Sequence, residues 1–286
     1  NPRANARRCV HLTHKQMSYA HTVLANMKRW TIKSFRNPFV LVFSLAQPII
    51  FLILFTQVFG SVATQAIPGI TYETYLVPAI IIQVSLAAAA TSGIGFVNDI
   101  EEGIYEKTVV SPMRQSAVFI GKTAAELVRI ATQIAIIIGL GVILGANVST
   151  GIAGAIGMTL IGMLFSLWFI ALTNTVAVVT EDQESTIIAS NFVQFPLLFL
   201  SSAFLPLSEL PGWIQTIAQY NPATYGVNAV RSLILGESSG STWTIQSLGP
   251  TTEIVVPSVI VLSALVLALG LIAVTTLKRS RNNLTK

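Results

Sequence analysis

Charge is what this chain has least of. Asp, Glu, Lys and Arg together make up 10% of its 286 residues, against about 25% in an ordinary soluble domain. With 52% of residues apolar, so few charged side chains cannot clothe a water-soluble fold of this length, and lipid must be the solvent for most of its surface. Cysteine is nearly absent too. Cys9 by itself excludes an internal disulfide framework and any Cys-rich metal site. The three histidines, His11, His14 and His21, all precede the first long apolar run and have no acidic companion there. No zinc-protease pair, no buried carboxylate pair and no Ser-His-Asp set can be assembled from such spacing, which argues against an intramembrane enzyme. No charged residue falls in the middle of an apolar run, which argues against a proton- or sodium-coupled carrier. Gly121-Lys122-Thr123 imitates the end of a phosphate-binding loop, but Ser116 stands where that motif requires glycine and no strand precedes it. The chain does not bind ATP by that device.

What the sequence does have is apolar runs. A helix crossing about 30 Å of hydrocarbon needs roughly 20 apolar residues, and six such runs occur, at 38–60, 76–98, 124–146, 152–179, 185–206 and 254–277. The fifth is the least apolar, with Asn191 and Gln194 inside it. Sixteen of the 17 Lys and Arg residues lie before the first run, after the last, or around the start of the third, and Arg231 is the exception. Because flanking cations resist translocation, both termini are expected on the cytoplasmic side. The basic balance then reflects topology and some attraction to anionic lipid, with no nucleic-acid partner. The expected fold class is an all-α integral membrane protein with six transmembrane helices, amino and carboxyl ends inside.

Residues 1–37 are expected to be a cytoplasmic tail with an amphipathic interfacial helix, and no signal peptide is expected there. Met17, Ala20, Val23, Leu24, Met27, Thr31 and Phe35 recur at helical spacing, with Lys28, Arg29 and Lys33 elsewhere on the wheel. A solvated basic tail is the plainer alternative. Residues 38–277 form the six-span domain, and 278–286 a cytoplasmic basic tail. The outer segment 207–252 is too long to be unstructured. Leu210, Trp213, Ile214, Ile217 and Ala218 form one helical stripe, and a second helix follows Asn221-Pro222 up to Gly236. Two short amphipathic helices beside a span are expected to be re-entrant or interfacial.

Between the second and third runs, 99–114 is the most polar inner loop, with Asp99, Glu101, Glu102 and Glu106, then Ser111-Pro112 as a helix stop and restart. A docking surface for a partner of opposite charge and a simple solvated turn are equally open readings. Lys122, Glu126 and Arg129 follow at i, i+4 and i+7 where the third span begins; their mutual pairing is expected, and transmission of loop movement into the bundle is the functional alternative. Gly141 and Gly145, with Gly151, Gly154 and Gly157, offer small faces for close helix contact. Gln47, Gln57, Gln83, Asn174, Asn191 and Gln194 need partners, inside the bundle or across a subunit interface. Pro48 and Pro78 are sites of local bending.

Two stretches carry a resemblance to a known family. Glu102-Gly103-Ile104-Tyr105-Glu106, running through Ser111-Pro112-Met113-Arg114 to Gly121-Lys122, is similar to the coupling loop of type-2 ATP-binding-cassette permeases of the daunorubicin-resistance and nodulation-exporter branch. The segment 199–215, with Tyr220-Asn221-Pro222-Ala223-Thr224-Tyr225 and Ala229-Val230-Arg231, is similar to that family's late signature.

The resemblance implies the permease subunit of an ATP-driven exporter in the cell membrane of a prokaryote. It implies a homodimer served by two separate ATPase subunits, which would hold ATP and Mg, with no cofactor in this chain. Asp99, Glu101, Glu102, Gly103, Tyr105, Glu106, Ser111, Pro112 and Arg114 would couple to the ATPase, and Lys122, Glu126 and Arg129 would pass the movement to the third span. Gln47, Pro48, Asn191, Gln194, Phe195 and Phe199 would line the substrate route at the dimer axis. Pro211, Trp213, Asn221, Pro222, Tyr225 and Arg231 would build the outer re-entrant gate. Arg231 would meet an anionic substrate or lipid group, or bond Glu209 or Glu237. The implied cargo is a hydrophobic, amphipathic or lipid-linked molecule, although relatives also move polysaccharides. A self-sufficient channel or secondary carrier is the competing reading; it predicts internal repeats and a membrane-embedded charge, and the sequence shows neither.

Overall fold

The computed structural model describes residues 19–36, 38–66, 70–103, 115–204, 210–236 and 251–284, and among them all regular structure is helical. In chain order the helices are α1 (Tyr19–Phe35), α2 (Pro38–Ala66), α3 (Tyr72–Glu101), α4 (Gln115–Ile143), α5 (Gly151–Thr180), α6 (Gln183–Phe199), α7 (Gly212–Tyr220), α8 (Pro222–Leu235) and α9 (Thr251–Leu284). The reason α3 is the hub lies in its composition: it is apolar around its whole circumference, so every face must be covered. It packs against α2, α4, α5, α6 and α8, and Leu76, Ile80, Ile81, Ile82 and Leu86 are fully buried. Close approach of α5 is allowed by Gly93, where a Cβ would sit 2.7 Å from the Thr173 carbonyl oxygen. Thr173 Oγ1 in turn donates to the Ala89 carbonyl at 3.1 Å.

Among the described residues, five helices are long and apolar enough to cross a membrane: segments Val42–Gly60, Tyr72–Glu101, Ala117–Ile143, Gly151–Thr180 and Ile254–Thr276. The described part of the chain is therefore all-helical, with the makeup of a membrane protein. The run expected over 185–206 is helical for Gln183–Phe199, 17 residues, or about 25 Å at 1.5 Å per residue. It then breaks into a turn at 200–204. Two bonds terminate it: Asn221 Nδ2 donates to the carbonyls of Leu197 at 2.8 Å and Leu200 at 2.7 Å, occupying acceptors at the helix end.

Three more expectations need correction. The third apolar run begins at 124 in the sequence, but α4 starts at Gln115 and ends at Ile143, because the charges near its start are neutralised inside the bundle. Gly145 and Gly151 are not packing glycines. They have open space around them and positive φ, +112° and +61°, at the two ends of the α4–α5 turn. Gly141 and Gly157 do meet neighbours, Val77 and Leu233. The face of α1 turned to the bundle is not its most apolar one: Thr22, Asn26 and Trp30 are buried while Leu24, Ile32 and Phe35 are exposed. Thr22 and Asn26 face inward where Gly121 of α4 comes so close that an added Cβ would lie 2.7 Å from the Val23 carbonyl oxygen and 2.8 Å from Asn26 Cβ.

At the far end of the bundle from α1, the α4–α5 turn is tied to two helices. Ser149 N donates to the Ile234 carbonyl at 2.9 Å, Asn147 N to Thr74 Oγ1 at 2.9 Å, and the Thr150 hydroxyl to the Leu233 carbonyl. Both predicted short helices after 207 exist, as α7 and α8. Most of α7 is exposed, Trp213 and Tyr220 included, whereas α8 buries Ala223, Val227, Val230 and Ile234 against α3, α5 and α9.

Candidate functional site

At the end where α3 gives way to the 104–114 connection, charged side chains from three helices converge. Lys122 of α4 is 3% exposed. Its ammonium donates to the Ser92 carbonyl of α3 at 3.0 Å and lies 4.0 Å from Glu126 Oε1. Arg129, one turn further, approaches Glu126 Oε2 at 3.8 Å and donates from Nη2 to the Ala88 carbonyl at 2.9 Å and Thr91 Oγ1 at 2.8 Å. The spacing i, i+4, i+7 puts all three on one face, and that face meets α3. Ser92 extends the network by donating to Asn174 Oδ1 of α5 at 3.3 Å.

Helix α1 closes the cluster from the other side. Asp99, in the last turn of α3, lies 3.9 Å from Arg29 and 3.7 Å from Lys33. The buried Trp30 ring between them is a common platform for three cations, with Lys33 Nζ at 4.8 Å, Lys122 Nζ at 5.1 Å and the Arg29 guanidinium at 5.6 Å from its centroid. The Phe96 ring takes Lys122 at 4.9 Å. A ring face is negative, so it stabilises cations that burial would otherwise expel. The end of α3 is therefore joined by direct contacts to α1 and α4.

Of the residues expected in the loop, Asp99 belongs to this cluster, while Glu101 and Glu102 are exposed and Gly103 (φ +65°) ends the described stretch. Tyr105, Glu106, Ser111, Pro112 and Arg114 lie outside the described residues. Sequence reasoning missed Arg29, Trp30, Lys33, Ser92 and Asn174 as members, because nothing in linear spacing brings α1 to Asp99.

A second grouping lies towards the opposite end of α2. Phe51, Phe55 and Phe59, spaced i, i+4, i+8, stack along the helix at 5.5 and 5.3 Å. Phe204 joins Phe51, Phe55 and Phe199 at 6.3, 5.4 and 5.6 Å. Phe55, Phe59, Tyr72, Phe199, Ser201, Phe204 and Leu210 line a groove of about 220 Å³. Phe199, a predicted pathway residue, is part of it and stacks on Phe195 at 6.2 Å. The others are dispersed. Pro48 and Gln194 are buried, whereas Gln47 and Asn191 are exposed on the single chain, as is Gln57. The aromatic spacing on α2 was readable; the contribution of Phe204 was not, since the break in α6 that turns it inward is a tertiary effect.

Among the residues expected in the outer gate, Pro211 precedes α7, Trp213 is exposed, and Pro222 opens α8 beneath the Asn221 cap, whose Oδ1 accepts from Ala223 N at 2.9 Å. Tyr225 is half-buried. Arg231 points inward: its Nη2 donates to the carbonyls of Ser202 at 3.1 Å, Ala203 at 3.3 Å and Tyr75 at 3.5 Å, and its guanidinium lies 4.0 Å over the Tyr75 ring. Glu209 and Glu237 lie outside the described residues.

Among the described residues, five helices long and apolar enough to cross a membrane define the class as a polytopic membrane protein. Residues 21–235 match the ABC-2 type transporter family, and the chain belongs to that family. It is similar to the daunorubicin resistance ABC transporter permease protein DrrB1 of Streptomyces coeruleorubidus, 27% identical over 199 residues that cover 70% of each chain. It is also similar to the probable doxorubicin resistance ABC transporter permease protein DrrC of Mycobacterium tuberculosis (strain CDC 1551 / Oshkosh), 23% identical over 213 residues, 73% of this chain and 74% of that one. A putative transport permease, ycf38, of Pyropia yezoensis is 27% identical over 225 residues, 75% of this chain and 76% of its own. The chain is thus an ABC transporter permease, a transmembrane transport subunit.

Proposed function

We propose that this chain is the membrane half of an ATP-driven exporter, working as a homodimer over two separately encoded ATPase subunits that hold ATP and Mg, and moving a hydrophobic or amphipathic small molecule out of the cytoplasm of a prokaryote. In this reading α2, α3, α4, α5, α6 and α9 make six crossings with both termini inside, α6 reaching its full span with the turn that follows it. Segment 99–114 is the coupling element, and α7 and α8 are the outer re-entrant pair. The observation that carries the reading is the contact set of Asp99: the last turn of α3, from which the coupling segment departs, is joined to α1 by Arg29 and Lys33 and lies beside Lys122 of α4. A push on that segment has a short rigid route into the bundle.

Pairing of two copies is supported by the exposed amides. Gln47 and Gln57 on α2 and Asn191 on α6 face outward from one chain, and an unpartnered amide in lipid is costly. Facing a second copy, they would satisfy one another and, with Phe195 and Phe199, line the route. The drug-resistance names of the relatives support an apolar or amphipathic cargo. The reading is tested in a reconstituted complex with the cognate ATPase. Glu102→Lys with Glu106→Lys should lower cargo-stimulated ATP hydrolysis while leaving the permease folded and assembled. Transport by the purified chain without an ATPase would overturn the reading.

A further inference from the structure

Helix α1 and the residue after it carry more positive charge than their partners among the described residues use. Arg29, Lys33 and Arg36 recur at i, i+4 and i+7, and with Ile32 they line a groove of about 430 Å³. Arg29 and Lys33 share a single carboxylate, Asp99, at 3.9 and 3.7 Å, and their own side chains remain about half exposed, 50% and 54%. Arg36 has no carboxylate within ion-pair distance among the described residues. Among the described residues, three cations thus stand against one acid. The same helix turns Leu24, Ile32 and Phe35 away from the bundle. An interfacial helix settles with such a stripe in the acyl region and its cations at headgroup level.

We infer that the groove of Arg29, Ile32, Lys33 and Arg36 is a binding site for the phosphate headgroup of an anionic phospholipid, whose chains run along the exposed apolar stripe of α1. Charge complementarity selects the occupant. A zwitterionic headgroup would bring its own cation into a groove already in surplus, whereas a phosphodiester of net negative charge balances it. The arginines supply planar donors suited to phosphate oxygens, and Lys33 adds a point charge. Because Arg29 and Lys33 also hold Asp99, the lipid and the last turn of α3 compete for the same donors. The inference needs a membrane-embedded chain but not an ATPase, so it can fail while the exporter reading stands, and the reverse.

The test is native mass spectrometry of the full chain released from nanodiscs of equal phosphatidylcholine and phosphatidylglycerol. The wild type should retain phosphatidylglycerol preferentially. Arg36→Gln, which breaks no ion pair within the described residues, should lower retention roughly fivefold, and Lys33→Gln with Arg36→Gln roughly 25-fold, at about 1 kcal/mol per interfacial cation. Asp99→Asn, which frees both donors, should raise it, and Lys278→Gln with Arg281→Gln, an equal charge loss at the end of α9, should leave it unchanged. Equal retention of both lipids would overturn the site. So would equal loss in the α9 variant, loss of retention in Asp99→Asn, or displacement of the lipid by inorganic phosphate. Unchanged lipid with release of the ATPase from the Arg36→Gln complex would make the groove a protein contact instead.

Discussion

The ammonium of Lys122 donates a 3.0 Å hydrogen bond to the main-chain carbonyl of Ser92, on a different helix. That bond, with Glu126 beside it, explains how a lysine remains at 3% exposure in an apolar bundle. Lys122→Met should destabilise the protein in detergent by ~3 kcal/mol or more, since Glu126 loses one of two cations, whereas adding Glu126→Gln should recover part of the loss. A double-mutant cycle of unfolding midpoints checks this, and strictly additive losses would mean the pair is not coupled.

Gly121 is where α1 lands on α4. Gly121→Val should cost about 1–3 kcal/mol, because its Cβ would lie 2.7 Å from the Val23 carbonyl oxygen and main chain cannot swing aside. Hydrogen exchange should report the loosening over 22–30 first, with α3 and α5 little changed. Uniform exchange across all helices would show that α1 docking is not the weak point.

Asn221 serves two helices at once, donating to Leu197 and Leu200 at the end of α6 and accepting from Ala223 N at the start of α8. Asn221→Ala should cost ~2–3 kcal/mol, combining a lost cap with unsatisfied buried carbonyls. Asn221→Asp keeps the acceptor but turns both donors into repulsion, so it should be the worse of the two in thermal unfolding.

Asp182 caps α6 at its exposed start, accepting from Ser185 N at 2.7 Å. The hydrogen bonds from Ser185 hold its carboxyl below the usual aspartate range. A depressed folded value means the cap contributes above the unfolded value and is lost as pH falls through the folded one. Asp182→Asn should therefore melt like the wild type near neutrality yet show a shallower loss as pH falls below about 4. Identical acid limbs would remove Asp182 from the acid response.

The apolar runs, the cation bias and the two short helices after 207 were readable from linear order, because hydrophobic length and helical period are local properties. So was the face shared by Lys122, Glu126 and Arg129, since i, i+4, i+7 spacing needs no tertiary information. The end of α6 at Phe199 was not legible, because a side chain 21 to 24 residues further on supplies the donors that stop it. Nor was the inward turn of Arg231, whose guanidinium finds carbonyls on two distant segments.

Chain composition dictated that this molecule lives in lipid as helices, since backbone polar groups there must be satisfied within each segment. Which charges meet was decided by packing: α1 reaches Asp99 and Trp30 reaches Lys122 because Gly121 lets two helices touch. Pairings between segments far apart in the chain depend on the shapes brought into contact, and those shapes exist after folding.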